Sequence, residues 1–270
     1  MRNSTVDAKP FPPDRLLCFY VPTINDGLQV QDEIPSAEPI RLSRRVAQLA
    51  PCTRAEAEQY IEGGWVTVDG IVVDDPRSMV TTQTVEFDPQ AKLEAIEPAT
   101  LLFHKPAGIA FETIIATPEL RSIEDTSGIR LLRRHFAHLM PLMPLDSDAS
   151  GLIVLSQDGR AIRRLTEDRD SIEQEFLVEV EGALDGPYGL SRLSRGLSYK
   201  GRALPSCKVS WQNETKLRFA IKAVRPGQLR DMCTQVGLKV LSIRRLRIGR
   251  IPLRKMLVGE WRYLPVSERF

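Results

Sequence analysis

Two carboxylates, Asp146 and Asp148, stand two residues apart in the polar run 145–151, directly before the apolar tetrad Leu152-Ile153-Val154-Leu155. An apolar run of that length between polar and glycine residues predicts a buried strand, so the loop sits at the mouth of a core element. A carboxylate held there can act as a nucleophile, a base or a cation ligand. An Asx turn accounts for Asp, Ser and Gly in this order without any chemistry. A calcium loop accounts for Asp146, Asp148 and Ser150 at alternating positions, followed by Gly151 and Ile153. Its twelfth position is Gln157, however, which supplies no bidentate carboxylate, and Pro141 and Pro144 oppose an entering helix. A third reading, a catalytic loop, depends on what the rest of the chain supplies.

The chain has 270 residues, 42% hydrophobic and 27% charged, enough for one large or two modest domains. No apolar run approaches the roughly 20 residues needed to cross a bilayer, and no basic start precedes an apolar core, so a cytoplasmic protein without membrane contact is expected. Cys18, Cys52, Cys207 and Cys233 are scattered, and His104, His135 and His138 form no ligand set, which argues against metal ribbons, redox pairs and a histidine-based hydrolase. The net charge of +2 hides a segregation. Residues 1–39 carry −3, whereas residues 225–255 hold nine Lys and Arg against Asp231 alone, the mark of a polyanion-binding surface.

The elements that must position the loop follow from periodicity. Residues 1–39, rich in proline, read as an irregular extension, with a short strand possible over 16–21. Ser43 is the expected cap of a helix with Val46, Leu49 and Ala50 inward, closed before Pro51. Thr53 and Glu56 form a capping box for a second helix with Ala57, Tyr60 and Ile61 inward, closed by Gly63-Gly64. Asp69-Gly70 between two β-rich runs predicts a hairpin. Residues 88–99, bracketed by Pro89 and Pro98, read as a linker. Beyond it, strands are expected at 100–103 and over 171–182, where Phe176, Val178 and Val180 alternate with charged neighbours. A further strand over 217–224 leads into a helix from about Gln228 to Val236, stopped by Gly237.

Two stretches resemble known families. Arg41-Leu42-Ser43, Thr53-Arg54-x-x-Ala57 and Gly64-Trp65-Val66-Thr67-Val68-Asp69-Gly70 resemble the S4 RNA-binding domain. The motif from Leu145 to Leu152 resembles the active-site motif of RNA pseudouridine synthases. Lys105-Pro106-x-Gly108 precedes it and Gln228-x-Arg230-x-Met232 follows it, as in that family. The C-terminal run through Gly259-Glu260-Trp261 also fits, and the order is most similar to the RsuA branch. The resemblance implies an α+β architecture: an S4-like αα-hairpin domain at 40–87, then a synthase domain at 100–270 with a mixed, mostly antiparallel sheet. It implies Asp146 as the nucleophile or base, Arg230 as its ion-pair partner, and Phe176 as a stacking surface in a position where the family has Tyr. Phosphate contacts are implied at Arg41, Arg44, Arg45 and Arg54, and further RNA contacts at Lys105, Gln228, Arg244, Arg245 and Arg247. Asp148 is expected to shape its loop by bonding backbone amides near Ser150 and Gly151.

Besides Phe176, four positions depart from the family pattern: Pro144 and Gly227 replace Arg, Gln174 replaces Lys, and Asp231 removes a further positive charge. Arg133, Arg134 or Arg160 could take over the nucleotide-displacing role of the missing arginine at 144. The expected protein is a monomeric synthase needing no metal or small-molecule cofactor. It acts on ribosomal RNA, with 23S favoured over 16S and tRNA left open. The alternative is an RNA-binding assembly factor that keeps the scaffold with weak or no turnover.

Overall fold

The computed structural model describes residues 38–184, 186 and 188–270; the N-terminal extension, with the strand considered at 16–21, lies outside them. The described residues fall into two compact units, divided between Glu97 and Pro98.

In the first unit, β1 (Ile40–Arg41) leads into α1 (Leu42–Leu49) and α2 (Arg54–Glu62). Both halves of the capping box form at α2: Thr53 Oγ1 accepts from Glu56 N, and Glu56 Oε2 accepts from Thr53 N at 2.7 Å. Ser43 does not cap α1. The helix starts two residues earlier, with Arg41 at the cap position, and the N–H groups of Leu42 and Ser43 donate instead to the carbonyls of Ser78 and Pro76, so a distant turn does the work of a cap. Asp69 and Gly70 both adopt positive φ, as the tight hairpin between β2 (Val66–Val68) and β3 (Ile71–Val72) requires. β4 (Met79–Val80) pairs with β1, and β5 (Val85–Phe87) with β2. The core gathers Leu42, Val46, Ala57, Tyr60, Ile61, Val66 and Val80. Leu49, expected inward, is exposed. Ala91, from the stretch read as a linker, is buried in this core.

The second unit is built on one nine-stranded sheet. Its strands are β6 (Thr100–Lys105), β7 (Met140–Leu142), β8 (Ser150–Ser156), β9 (Gln174–Glu181), β12 (Lys208–Trp211), β13 (Lys216–Ile221), β14 (Lys239–Ile248), β15 (Ile251–Pro252) and β16 (Trp261–Tyr263). The order along the main path is β12-β13-β9-β14-β8-β6-β16, with β7 on β8 and β15 on β14. β14 runs parallel to β8, and the other strand-to-strand pairings among the described residues of this sheet are antiparallel; an isolated bridge joins Arg121 to Trp261 in parallel. A small separate hairpin joins β10 (Ser198–Tyr199) and β11 (Arg202–Ala203). The helices α3 (Gly159–Thr166), α4 (Gly189–Ser194) and α5 (Gln228–Thr234) flank the strands. One face buries Leu101, Phe103, Ile153, Leu155, Phe176, Val178, Phe219 and Trp261; a second cluster holds Leu102, Leu152, Val154, Ile248 and Leu253. This alternation along β6 and β8 is what a sheet covered on both faces requires.

Candidate active site

The loop 145–149 enters the centre of the sheet, where β8 meets β14. Its apolar ends, Leu145 and Ala149, are buried, while Asp146 is half-buried and Asp148 exposed. The glycine of the motif has a steric reason: at Gly151, with φ +118°, a Cβ would stand 2.3 Å from the Arg245 carbonyl oxygen. The two central strands touch there, and only glycine permits it.

Two buried cations hold the loop from beneath. Lys105 is fully buried, and its Nζ donates to the carbonyls of Pro106, Ser147 and Ala149 at 2.7–2.9 Å. Gly108 N–H also donates to Ser147 O, so the Lys-Pro-x-Gly turn shapes the loop. Arg245 is 1% exposed; it donates to the carbonyls of Leu152, Pro144 and Met143 and to Gln174 Oε1. Burial lowers the Arg245 guanidinium to about 9, opposed by the negative charge of Asp146. Burial likewise lowers Lys105, opposed by Asp148 and Asp146. Lys105 and Arg245 are therefore not RNA contacts: Lys105 spends its donors on the loop and Pro106, Arg245 on the residues flanking the loop and on Gln174, and their charges face the carboxylates. Gln228 is buried as well. Its Oε1 accepts from Arg225 N and its Nε2 points at Met232 Sδ, so it shapes the 225–228 turn and offers nothing to RNA.

The ion pairing differs from that implied by the resemblance. Arg230 Nη2 binds Asp148, not Asp146, and Arg230 Nη1 donates to Val240 O. The partner of Asp146 is the backbone amide of Gly227, at 2.9 Å from Oδ2 and 3.2 Å from Oδ1. Gly227 stands at the start of α5 with φ +77°, a conformation that turns its N–H toward the carboxylate. The side chain missing at position 227 is thus replaced by a main-chain donor. Phe176 is 1% exposed and packed in the core, its ring 6.0 Å from the Arg245 guanidinium, so it is a floor under Arg245 and presents no open face.

Arg133, Arg134 and Arg160 cannot stand in at position 144. Gln157 Nε2 donates to Arg134 O, and Asp158 holds Arg160 N, both past the C-terminal end of β8, whereas Asp146 precedes its N-terminal end. Seven strand residues at about 3.3 Å each separate the two ends. The same separation removes Gln157 from any cation site with Asp146. Arg244 is exposed, but with Arg247 and His104 it lines a groove with Arg218, Arg254 and Lys255, while Lys105 and Arg245, next in sequence to His104 and Arg244, serve the loop. Arg247 is further committed to Glu173 and Glu175. In the first unit, Arg41 and Arg44 are exposed, Arg45 is half-buried, and Arg54 is exposed with Glu58 at 3.2 Å.

A cleft of about 580 Å³ opens beside the loop. Pro144, Gln174, Arg225 and Pro226 line one part; Tyr199, Lys200 and Arg202 of the β10–β11 hairpin line another, with Arg169. None of these four hairpin and turn cations was singled out from the sequence. Lys200-Gly201 between two short runs was the available signal, and it is faint.

The chain pairs an N-terminal unit of two helices and short strands with a sheet domain that carries a carboxylate loop at its centre. The S4 domain family matches residues 40–85. The Ribosomal small subunit pseudouridine synthase A of Pseudomonas aeruginosa is 30% identical over 234 residues, covering 85% of this chain and 98% of that protein. The Dual-specificity RNA pseudouridine synthase RluF of Escherichia coli K12 is 27% identical over 85% of this chain and 77% of its own. The Ribosomal large subunit pseudouridine synthase B of Bacillus subtilis is 26% identical over 84% and 93%. A solved pseudouridylate synthase shares the fold, with a TM-score of 0.51 at 20% identity over 84% of this chain and 97% of that one. The chain belongs to the family of pseudouridine synthases that carry an N-terminal S4 domain. No helix among the described residues is long and apolar enough to cross a membrane.

Proposed function

We propose that this protein isomerises one uridine of ribosomal RNA, in the 23S molecule, to pseudouridine, with Asp146 as the reacting carboxylate. The observation that carries the reading is the lodging of Asp146: an ionisable group at the centre of the sheet, held by the Gly227 amide and facing two buried cations, with the neighbouring Pro144 and Pro226 lining an open cleft. The reaction breaks the bond from ribose C1′ to uracil N1, turns the base, and joins C1′ to C5. The C5 proton leaves and N1 gains one, so the product is an isomer. Cleavage at a sugar carbon needs a carboxylate acting as nucleophile or base, and Asp146 takes that role. The base must first leave its stack, at a cost of a few kcal/mol, and be held while it turns. The cleft supplies the room, and Arg169, Lys200, Arg202 and Arg225 supply charge for the adjoining phosphates. Arg230, bound to Asp148, fixes the loop on which Asp146 rides.

The test is pseudouridine mapping across ribosomal RNA from cells lacking the protein, then from cells restored with wild type or with Asp146→Asn. The expected result is one 23S position lost on deletion and regained with wild type alone. Restoration by Asp146→Asn would overturn the role of Asp146; persistence of every site in the deletion strain would favour the second reading, an RNA-binding assembly factor. Pro144, which offers no side-chain cation beside Asp146, is the observation on that side.

A further inference from the structure

One wall of the cleft is a two-residue hairpin whose tip is shaped for a purpose. Lys200 has φ +51° and Gly201 φ +76°, the left-handed pair of a tight β turn, which holds Tyr199 and Arg202 opposite one another. A lysine in that conformation is uncommon. The hairpin is anchored twice. Gln235 Nε2 donates to Ser198 O at 2.8 Å, tying it to the end of α5, and Tyr199 Oη donates to Pro226 O at 2.6 Å. Pro226 precedes Gly227, whose amide holds Asp146. A single line of contacts thus runs from the hairpin to the reacting carboxylate.

The hairpin also accounts for the glycine at 227. A Cβ there would stand 3.0 Å from Tyr199 Oη, so the phenol takes the space into which a side chain at 227 would extend. Where the family pattern has an arginine at 227, this chain has Tyr199 in its place. Positive charge returns from the same hairpin: Lys200 is exposed, with its Nζ 5.2 Å from the centre of the Tyr199 ring, and Arg202 is exposed on the cleft side. No acidic side chain is among the residues lining the cleft. Pro144 and Gly227 put no side-chain cation next to Asp146; Arg225 lines that part of the cleft, and Lys200 and Arg202 line the hairpin part.

Resting on the reading of Asp146 given above, we propose that the β10–β11 hairpin is the RNA-gripping wall of the active site. Lys200 and Arg202 bind the phosphates flanking the target uridine, and Tyr199 is a positioning residue that sets the Pro226-Gly227 turn beneath Asp146. The wall does two jobs at one place: it fixes the backbone of the strand from which the base is extruded, and it aligns the carboxylate that the base must meet. A shift of about 1 Å at such a contact is enough to cost on the order of a hundredfold in rate.

The test uses the full-length protein with unmodified, transcribed 23S ribosomal RNA, scoring binding by fluorescence anisotropy at several salt concentrations and conversion in single turnovers at saturating protein. The Lys200→Ala/Arg202→Ala double variant is expected to bind more weakly, with its salt slope reduced by about 2, one for each lost phosphate contact. Arg163→Ala/Arg164→Ala, which removes the same charge from α3, outside the cleft, is expected to bind like wild type. Tyr199→Phe keeps the ring and loses the bond to Pro226; its affinity should stay within about twofold while its rate at saturation falls at least tenfold, a change of about 1.4 kcal/mol in barrier. Unchanged binding by the hairpin double variant, or equal weakening by the α3 variant, overturns the gripping role. A wild-type rate in Tyr199→Phe overturns the positioning role. Asp146→Asn is run beside them: turnover by that variant sinks the reading of Asp146, whereas the binding comparison judges the hairpin independently.

Discussion

Asp146 and Gly227 are 81 residues apart in the chain, and they meet through a carboxylate that accepts one backbone amide at 2.9 Å and 3.2 Å. The amide can point there because Gly227 adopts φ +77°. Gly227→Ala puts a Cβ into the left-handed region and against Tyr199 Oη. It is expected to lose about 1 kcal/mol of stability, with a larger fractional loss of turnover because Asp146 loses its place. Urea unfolding and single-turnover rates measured together decide it; a variant with normal rate shows that the amide does not position Asp146.

Arg230 and Asp148 form a pair whose side chains are 39% and 55% exposed. Such a pair contributes little to stability, about 0–1 kcal/mol. Arg230→Ala is therefore expected to leave the melting temperature near wild type and to lower the rate through the loosened loop, with Arg230→Lys in between. A melting temperature that falls by many degrees at unchanged rate would assign the pair to stability instead.

Arg245 is a different case, because four acceptors depend on it. Arg245→Met strips donors from the carbonyls of Met143, Pro144 and Leu152 and from Gln174, and is expected to cost on the order of 3 kcal/mol. Lysine is a poor replacement, since one ammonium cannot reproduce the fork. A midpoint shift in urea under a quarter of that size would show that water enters and satisfies the carbonyls.

The acid limb of stability is expected to involve Glu175. Burial raises its carboxyl, but the bonds from Arg218 and Arg247 outweigh burial and leave it below the usual glutamate value. The unfolded chain then takes up the proton first as pH falls. The stabilisation is complete above the unfolded value of about 4.3 and is lost as pH drops through the lower folded one. Glu175→Gln should melt lower than wild type at neutral pH, with a flatter decline between about pH 5 and pH 3. Parallel declines would remove Glu175 from the account.

In the S4 unit, Arg44 is exposed and Arg45 half-buried on α1, while Arg54 already has Glu58. Arg44→Ala/Arg45→Ala is expected to reduce the salt slope of RNA binding by about 2, and Arg54→Ala by less. Equal effects would mean that the Glu58 pair opens on binding.

Local rules made several elements readable from the chain. The Thr53–Glu56 box, the Asp69-Gly70 turn and the apolar tetrad after Asp146 each depend on residues a few positions apart, and each appears where its pattern stands. The mostly antiparallel sheet was implied by the resemblance that the motifs carry. Partners brought together by the sheet were not readable, because hydrogen bonds are assigned by space and not by spacing. Ser43 lost its capping role to the distant turn at Pro76 and Ser78, and Arg230 went to Asp148. The basic run of 225–255 looked uniform in sequence; the pleat of β14 sent Arg245 inward to the loop and left Arg244 outside. The sequence alone determined which carboxylate to watch. Tertiary structure alone decided that a glycine amide 81 residues away holds it and that a hairpin walls the neighbouring cleft, since both depend on segments that only the folded sheet brings together.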